Sequence, residues 1–205
     1  TSMKMFIDLL RKHIENTSLT KPKYFAKRLY DQANRLTELT NDLLDVSRIE
    51  TGKLKLQKEK IEFHSFIIEI IEGIQTTTDD HTIKVMNNPK LTVVADRYRL
   101  YQVLVNLLTN AIKYSPKAKE IIVDIRKDNK NITVSVQDFG IGIRNDQQKR
   151  IFDRLYQVTD PEEKTYPGLG LGLYISKEIV QRHEGTIWVE SKKGHGSIFY
   201  FRLPI

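Results

Sequence analysis

Three groups of residues stand at spacings that chemistry can use. Asn106, Asn110 and Lys113 fall four and three residues apart in Asn106-Leu107-Leu108-Thr109-Asn110-Ala111-Ile112-Lys113-Tyr114, so on a helix they share one face. A carboxamide oxygen is a hard, neutral ligand that suits Mg2+, an ion that keeps waters and bridges phosphates. Lys113, one turn on, can meet a phosphate as a point charge. The plain alternative is the solvated side of an amphipathic helix, yet asparagine is a mediocre helix former that gains nothing from recurring at this spacing. Asp138-Phe139-Gly140-Ile141-Gly142 follows a strand-like run. A carboxylate there can accept from an amino group such as adenine N6, and glycines let the backbone approach a flat ligand. The plain alternative is a strand-ending turn. Gly168-Leu169-Gly170-Leu171-Gly172 leads into a helical pattern. Bare N–H groups at the positive end of a helix form an anion cradle. The dinucleotide pattern does not apply, because no single strand–turn–helix with a downstream acid surrounds these glycines.

The elements that must hold these groups can be read from periodicity. A helix over 97–114 carries Tyr101, Leu104, Val105, Leu108 and Ile112 on one face. Alternating strands over 121–126 and 132–137 flank the polar turn Asp128-Asn129-Lys130-Asn131. Further strands are expected at 54–61, 82–86, 91–95, 186–191 and 197–203, with helices near 63–76 and 171–182 and a flexible stretch over 144–168. Helices mixed with antiparallel pairs indicate a two-layer α/β sandwich.

Residues 1–50 follow a different period. Two helices are expected, broken at Asn16-Thr17-Ser18, with Pro22 in the first turn of the second. In that helix Ala26, Leu29, Ala33, Leu36, Thr40 and Leu43 alternate three and four apart, the pattern of shallow-angle bundles and coiled coils. A four-helix dimer of two hairpins would cover so wide a stripe; a hairpin folded back on the rest of the chain is the simpler alternative. Gly52 is placed to end the helix. The expected domains are 1–52 and 53–205.

Composition narrows the classes. The 205 residues include no cysteine, so disulfides, thiolate metal sites and cysteine nucleophiles are excluded. The net charge of +7 is spread among glutamates rather than gathered in a basic stripe, so no nucleic-acid partner is expected. No apolar run approaches the roughly 18–20 residues that span a bilayer.

Taken in order, the asparagine helix, Asp-x-Gly-x-Gly, a long loop and Gly-x-Gly-x-Gly before a helix resemble the N, G1 and G2 boxes of the histidine kinase catalytic domain. That domain belongs to the superfamily that also holds gyrase B, Hsp90 and MutL. Phe152-Asp153-Arg154-Leu155-Tyr156 resembles the F box, and Leu43-Leu44-Asp45-Val46-Ser47-Arg48-Ile49-Glu50-Thr51-Gly52 resembles the end of the second dimerisation helix. The resemblance implies an α+β chain: a helical hairpin of a four-helix-bundle dimerisation domain, then a two-layer α/β sandwich of the Bergerat ATP-binding type, with a mixed sheet and helices on one face. It implies an ATP-dependent protein-histidine kinase of a two-component system, with ATP and Mg2+ as cofactors. Partners would be a second copy through residues 1–52 and the receiver domain of a response regulator. A cytoplasmic location follows, with any membrane anchor in upstream segments.

By the same resemblance Asn110 would bind Mg2+, assisted by Asn106. Lys113 and Tyr114 would contact phosphates, and Arg154 would help orient the γ-phosphate. Asp138 would take the adenine amino group, with Gly140 and Gly142 beside the ring. Gly168, Gly170 and Gly172 would lie under the phosphates at the hinge of a mobile lid over 144–168. Relatives that hydrolyse ATP carry a glutamate where Asn106 stands. Two departures, Leu169 for Thr or Ser and Gln157 for a second Arg, bear on activity. None of the five histidines sits in the acceptor pattern of His, acid and a following Pro; Thr1-Ser2-Met3 resembles the residues just after that pattern, which would then lie upstream. A non-catalytic nucleotide-binding scaffold and a serine kinase of the anti-sigma-factor type stay open as alternatives at this stage.

Overall fold

The computed structural model describes residues 7, 8, 12, 20–158 and 168–205. The chain divides into two compact units, Thr1–Thr51 and Gly52–Ile205. In the first, one helix, α1, runs over Thr20–Glu50. Ala26, Val46 and Ile49 are buried, whereas Leu29, Leu36 and Leu43, seven residues apart, stay 58%, 57% and 53% exposed. The expected first helix lies outside the described residues, apart from the helical residues 7, 8 and 12.

The second unit opens with an extended run and β1 (Glu59–Glu62), then α2 (Phe63–Gln75), β2 (Thr82–Val85) and β3 (Thr92–Ala95). There follow α3 (Arg97–Tyr114), β4 (Glu120–Lys127), β5 (Asn131–Asp138), the short α4 (Asn145–Gln148), α5 (Gly172–Arg182), β6 (Thr186–Lys192) and β7 (Gly196–Pro204). β1 and β3 form an antiparallel ribbon. The other five strands form one sheet in the order β2-β4-β5-β7-β6. Only β2 and β4 run parallel. The fold is thus α+β, with a mixed sheet.

Period-2 alternation sends Ile121, Val123 and Ile125 of β4, Ile132, Val134 and Val136 of β5, and Phe199, Phe201 and Leu203 of β7 into the core. Phe66, Ile67 and Ile70 of α2, Leu100, Leu104 and Leu107 of α3, and Ile175 and Ile179 of α5 meet them as the helical layer. The β4–β5 hairpin turns because Asp128 Oδ1 accepts the backbone N–H groups of Lys130 and Asn131, each at 2.8 Å.

Three expectations need correction. Residues 54–58 are extended but outside any ladder: Leu54 O accepts from Arg182 Nη1 and Gln57 N donates to Asp96 Oδ2, so side chains replace a strand partner. The core face of α3 is Leu100, Val103, Leu104, Leu107, Leu108 and Ala111; Tyr101 is exposed, and Val105 and Ile112 are only half-buried. The stretch 144–168 is not uniformly flexible, because up to residue 158 it holds α4 and turns pinned by the buried Ile151 and Phe152.

Candidate active site

The site is assembled around α3. Its first turn is fixed by Asp96, whose Oδ1 accepts Arg99 N at 3.0 Å, a capping bond of the kind worth ~1 kcal/mol. Asp96 N donates to the buried His183 Nε2 at 2.9 Å, and His183 Nδ1 lies 2.8 Å from Ile179 O. The imidazole must therefore be neutral, with its proton on Nδ1, and burial lowers its pKa in keeping with that. At the far end Ser115 Oγ donates to Ala111 O, and His81 Nε2 sits 2.9 Å from Ser115 O. Both ends of the asparagine-bearing helix are thus tied to buried histidines.

Asn106, Asn110, Lys113 and Tyr114 are half-buried along one side of α3. Asn110 Nδ2 donates to Asn106 Oδ1 at 3.3 Å, and Asn106 Nδ2 donates to Ser176 Oγ of α5 at 2.9 Å. Lys113 Nζ lies 4.9 Å from the centre of the Tyr114 ring.

The Asp138 turn docks directly on the end of this helix. Ile141 N donates to Tyr114 O at 3.1 Å. A Cβ on Gly140 would stand 2.0 Å from that same oxygen, so only glycine permits the approach. Asp138 ends β5 with 3% of its surface exposed, and its Oδ1 accepts Gly140 N at 2.8 Å. Burial raises its pKa above the usual carboxylate value, while the N–H groups of Gly140 and Ser197 pull the other way. Gly142 packs on the β6–β7 turn, where its Cβ would meet Lys192 O. Ser191 Oγ accepts Ile143 N nearby.

The glycine-rich segment before α5 closes the third side. Gly168 is beside Lys113: a Cβ there would lie 3.6 Å from Nζ. Gly170 O accepts Leu155 N at 3.1 Å, and Gln157 Nε2 donates to Gly168 O at 2.6 Å. Gln157, a departure from the expected arginine, thus joins the two chain segments that flank 159–167. Gly172 lies against α3, where a Cβ would sit 2.3 Å from Asn106 Oδ1. Arg154 is on the exposed side of the turn that Phe152 anchors.

Asn106, Asn110, Lys113, Tyr114, Gly168 and Gly172 are therefore brought together by direct proximity, and Asp138, Gly140 and Gly142 join through the Tyr114 carbonyl. Ser176, His81 and Ser197 escaped the sequence reading. Ser176 had one signal, as a hydroxyl on the face that α5 buries with Ile175, Ile179 and Val180.

Among the described residues no three His, Cys, Asp or Glu side chains lie together as a metal cage. The donor set is a pair of neutral carboxamides beside an ammonium. It fits a hard cation that arrives with its own phosphate oxygens and waters, which is how Mg2+ is usually held.

Fold and site together define a mixed-sheet α/β domain in which an asparagine-bearing helix, a buried aspartate turn and a glycine-rich segment come together. Comparison with known families sharpens this. Residues 95–205 match the model of the histidine kinase-, DNA gyrase B-, and HSP90-like ATPase, and residues 1–52 match that of the His Kinase A (phospho-acceptor) domain. The chain belongs to the histidine kinase-, DNA gyrase B-, and HSP90-like ATPase family. It is 32% identical over 208 residues to the sensor histidine kinase WalK of Bacillus subtilis, covering 100% of this chain and 34% of that protein. The chain spans about a third of the length of this curated relative. Among solved structures, full-length ShkA in complex with AMPPNP matches 99% of this chain and 43% of its own, at 21% identity and a TM-score of 0.75. The Acinetobacter baumannii histidine kinase AdeS matches 98% of this chain and 93% of its own, at 23% identity and a TM-score of 0.74. At these identities the two structures speak for the fold.

Proposed function

We propose that this chain is the kinase core of a sensor histidine kinase in a two-component system. It binds Mg2+–ATP between α3, the Asp138 turn and the Gly168–Gly172 segment, and passes the γ-phosphoryl group to a histidine and from there to an aspartate of a response regulator. The observation that carries this is the meeting of two separate segments on the C-terminal half of α3: Ile141 N on Tyr114 O from one, and Gly168 beside Lys113 with Gly172 against Asn106 from the other. The relation to WalK, named as a sensor histidine kinase, and the AMPPNP bound to ShkA support it.

In this reading Asp138 accepts the adenine amino group, with Gly140 and Gly142 beside the ring. Asn110, assisted by Asn106, holds the metal, which neutralises charge on the triphosphate. Lys113 and Tyr114 reach phosphates, Gly168, Gly170 and Gly172 line their path, and Arg154 orients the γ-phosphate. Phosphoryl transfer needs chiefly positioning and charge neutralisation. A neutral imidazole nitrogen of the acceptor attacks the γ-phosphorus, the bond to the β,γ-bridging oxygen breaks, and ADP leaves. Asn106 occupies the place of a general base in hydrolysing relatives, and a carboxamide has no basic lone pair of useful pKa. With its donor end on Ser176 and its oxygen on Asn110, it cannot activate water, so the γ-phosphate is kept for the histidine.

The open row Leu29, Leu36 and Leu43 on α1 supports a homodimer through residues 1–52, since heptad-spaced leucines pair helices. The first unit also counts against an anti-sigma-type serine kinase, which lacks such a hairpin. Among the described residues no helix is long and apolar enough to cross a membrane; in this reading any anchor belongs to other parts of the parent protein.

The test is to incubate the full-length parent protein with γ-labelled ATP. Label that is lost in acid and kept in base supports phosphohistidine. Acid-stable label points to serine or threonine, and no label with intact nucleotide binding points to a scaffold.

A further inference from the structure

Helices α3 and α5 touch at Asn106 and Gly172. The glycine leaves the carboxamide of Asn106 lying against the α5 backbone, within 2.3 Å of where a Cβ would project. One turn along α5, on the same face, stands Ser176, 1% exposed. Its hydroxyl accepts Asn106 Nδ2 at 2.9 Å, and Asn106 Oδ1 in turn accepts Asn110 Nδ2 at 3.3 Å. A carboxamide is two-ended: one end only donates and the other only accepts. In this relay the Asn110 nitrogen is spent on Asn106 and the Asn106 nitrogen on Ser176 of α5, so the end of Asn110 left for a ligand is its oxygen.

We propose that Ser176 is a positioning residue for metal binding: by holding the amine end of Asn106 it orients Asn110 so that Oδ1, not Nδ2, faces the cation. This rests on the reading of Asn110 as the metal-binding group. Without the hydroxyl, Asn106 loses its buried acceptor and can rotate by a half-turn about its last torsion. Asn106 then offers an amine to Asn110, which must turn its own oxygen inward to accept it. An amine is left facing the cation, where a ligand oxygen is required. The relay is polar and local, so its loss acts on metal-dependent affinity and leaves the base pocket at Asp138 alone.

The experiment measures the affinity of a non-hydrolysable ATP analogue for the whole chain, in EDTA and across a Mg2+ titration, with thermal melting as a control. Variants are Ser176→Ala, Ser176→Thr, Asn106→Ala, Asn110→Ala and Ser176→Ala/Asn106→Ala. Losing one neutral hydrogen bond corresponds to a shift of roughly three- to tenfold. Ser176→Ala is expected to raise the Mg2+ concentration at half-saturation by that factor. Affinity in EDTA should stay within about twofold, as expected for a purely local change. Ser176→Thr, which keeps the hydroxyl, should restore the wild-type requirement. The double variant should be no worse than Asn106→Ala, because the two residues act in series. The proposal is overturned if Ser176→Ala keeps the wild-type Mg2+ requirement while Asn106→Ala and Asn110→Ala raise it. It is equally overturned if Ser176→Ala weakens binding to the same degree with and without metal. If even Asn110→Ala leaves the Mg2+ dependence unchanged, the metal reading itself fails, and Ser176 loses its role with it.

Discussion

Replacing Asp138 by Asn should reverse which purine this protein prefers. The carboxylate is buried, and its Oδ1 is held by Gly140 N at 2.8 Å. An asparagine keeps that bond with its own oxygen and therefore turns an NH2 toward the base. Against ATP, whose exocyclic amine is also a donor, the variant loses a charge-assisted hydrogen bond of about 1.5–3 kcal/mol and gains an unsatisfied donor of about 1–3 kcal/mol. The sum, about 2.5–6 kcal/mol, weakens ATP by roughly sixtyfold to twenty-thousandfold at 1.4 kcal/mol per decade. Inosine triphosphate carries a carbonyl oxygen at that position. The wild type should reject it, whereas the new NH2 can donate to it for about 0.5–1.5 kcal/mol. Calorimetry of both nucleotides on both proteins gives the four numbers needed. The folded protein supplies an internal control. Burial raises the Asp138 pKa above its unfolded value, so its contribution to stability is present at low pH and is lost as pH rises through the raised value. The neutral Asn removes that charge cost, and the unliganded variant should melt at the same temperature as the wild type or higher at pH 7.5. Weakening of ATP and inosine triphosphate by the same factor, or an unchanged preference for ATP, would refute Asp138 as the reader of the base.

Gly140→Ala places a Cβ 2.0 Å from Tyr114 O, so the turn must withdraw from α3. Overpacking of this kind costs about 1–3 kcal/mol, and nucleotide affinity should fall by at least about tenfold on the same scale; thermal melting and calorimetry check both. Leu107→Ala empties a fully buried position of α3 and should cost the second unit about 2–5 kcal/mol in a denaturant titration. Asp42 on α1 has its pKa raised to about 6 by burial, with Glu38 and Asp45 adding to the effect. A folded-state value above the unfolded one means stability that is present at about pH 4 and lost as pH rises through about 6. Asp42→Asn should therefore stabilise the helical unit at pH 7.5 and make little difference at pH 4, as followed by circular dichroism; equal effects at both pH values would contradict the shift.

How much of this could be read from the residues differs by the kind of feature. α3 spans 97–114 as expected, because a capping Asp96, an unbroken 3.6-residue period and no interior glycine or proline all agree. Its buried face was only partly placed: Leu104 and Leu108 are buried as expected, whereas Tyr101, Val105 and Ile112 are not. Tyr101, Val105 and Ile112 form a stripe as regular as that of Leu100, Leu107 and Ala111, and only the sheet and α5 decide between them. The strand expected at 54–61 starts late for a related reason. Alternation marks extended backbone, but the partners of Leu54 and Gln57 are Arg182 and Asp96, far along the chain and invisible to a local pattern.

The site was legible where a residue works against its own local preference. Two asparagines on one helix face and glycines in a strand-ending turn are poor local choices, so their presence signals a demand from elsewhere. Ser176 sends only a faint signal, a hydroxyl on the face that α5 buries, since a serine in a helix is otherwise unremarkable. Its meaning comes from Asn106, 70 residues away in the chain, and from a glycine that lets the two helices close. The same contact bears on the choice between transfer and hydrolysis. A glutamate at position 106 would present a carboxylate where Gly172 and Ser176 now hold an amide, and could take a proton from water. An amide with its nitrogen bound to α5 has no such capacity. In the proposed reading, the polarity of this one half-buried contact therefore bears both on how the cation is met and on why water is a poor acceptor for the γ-phosphate.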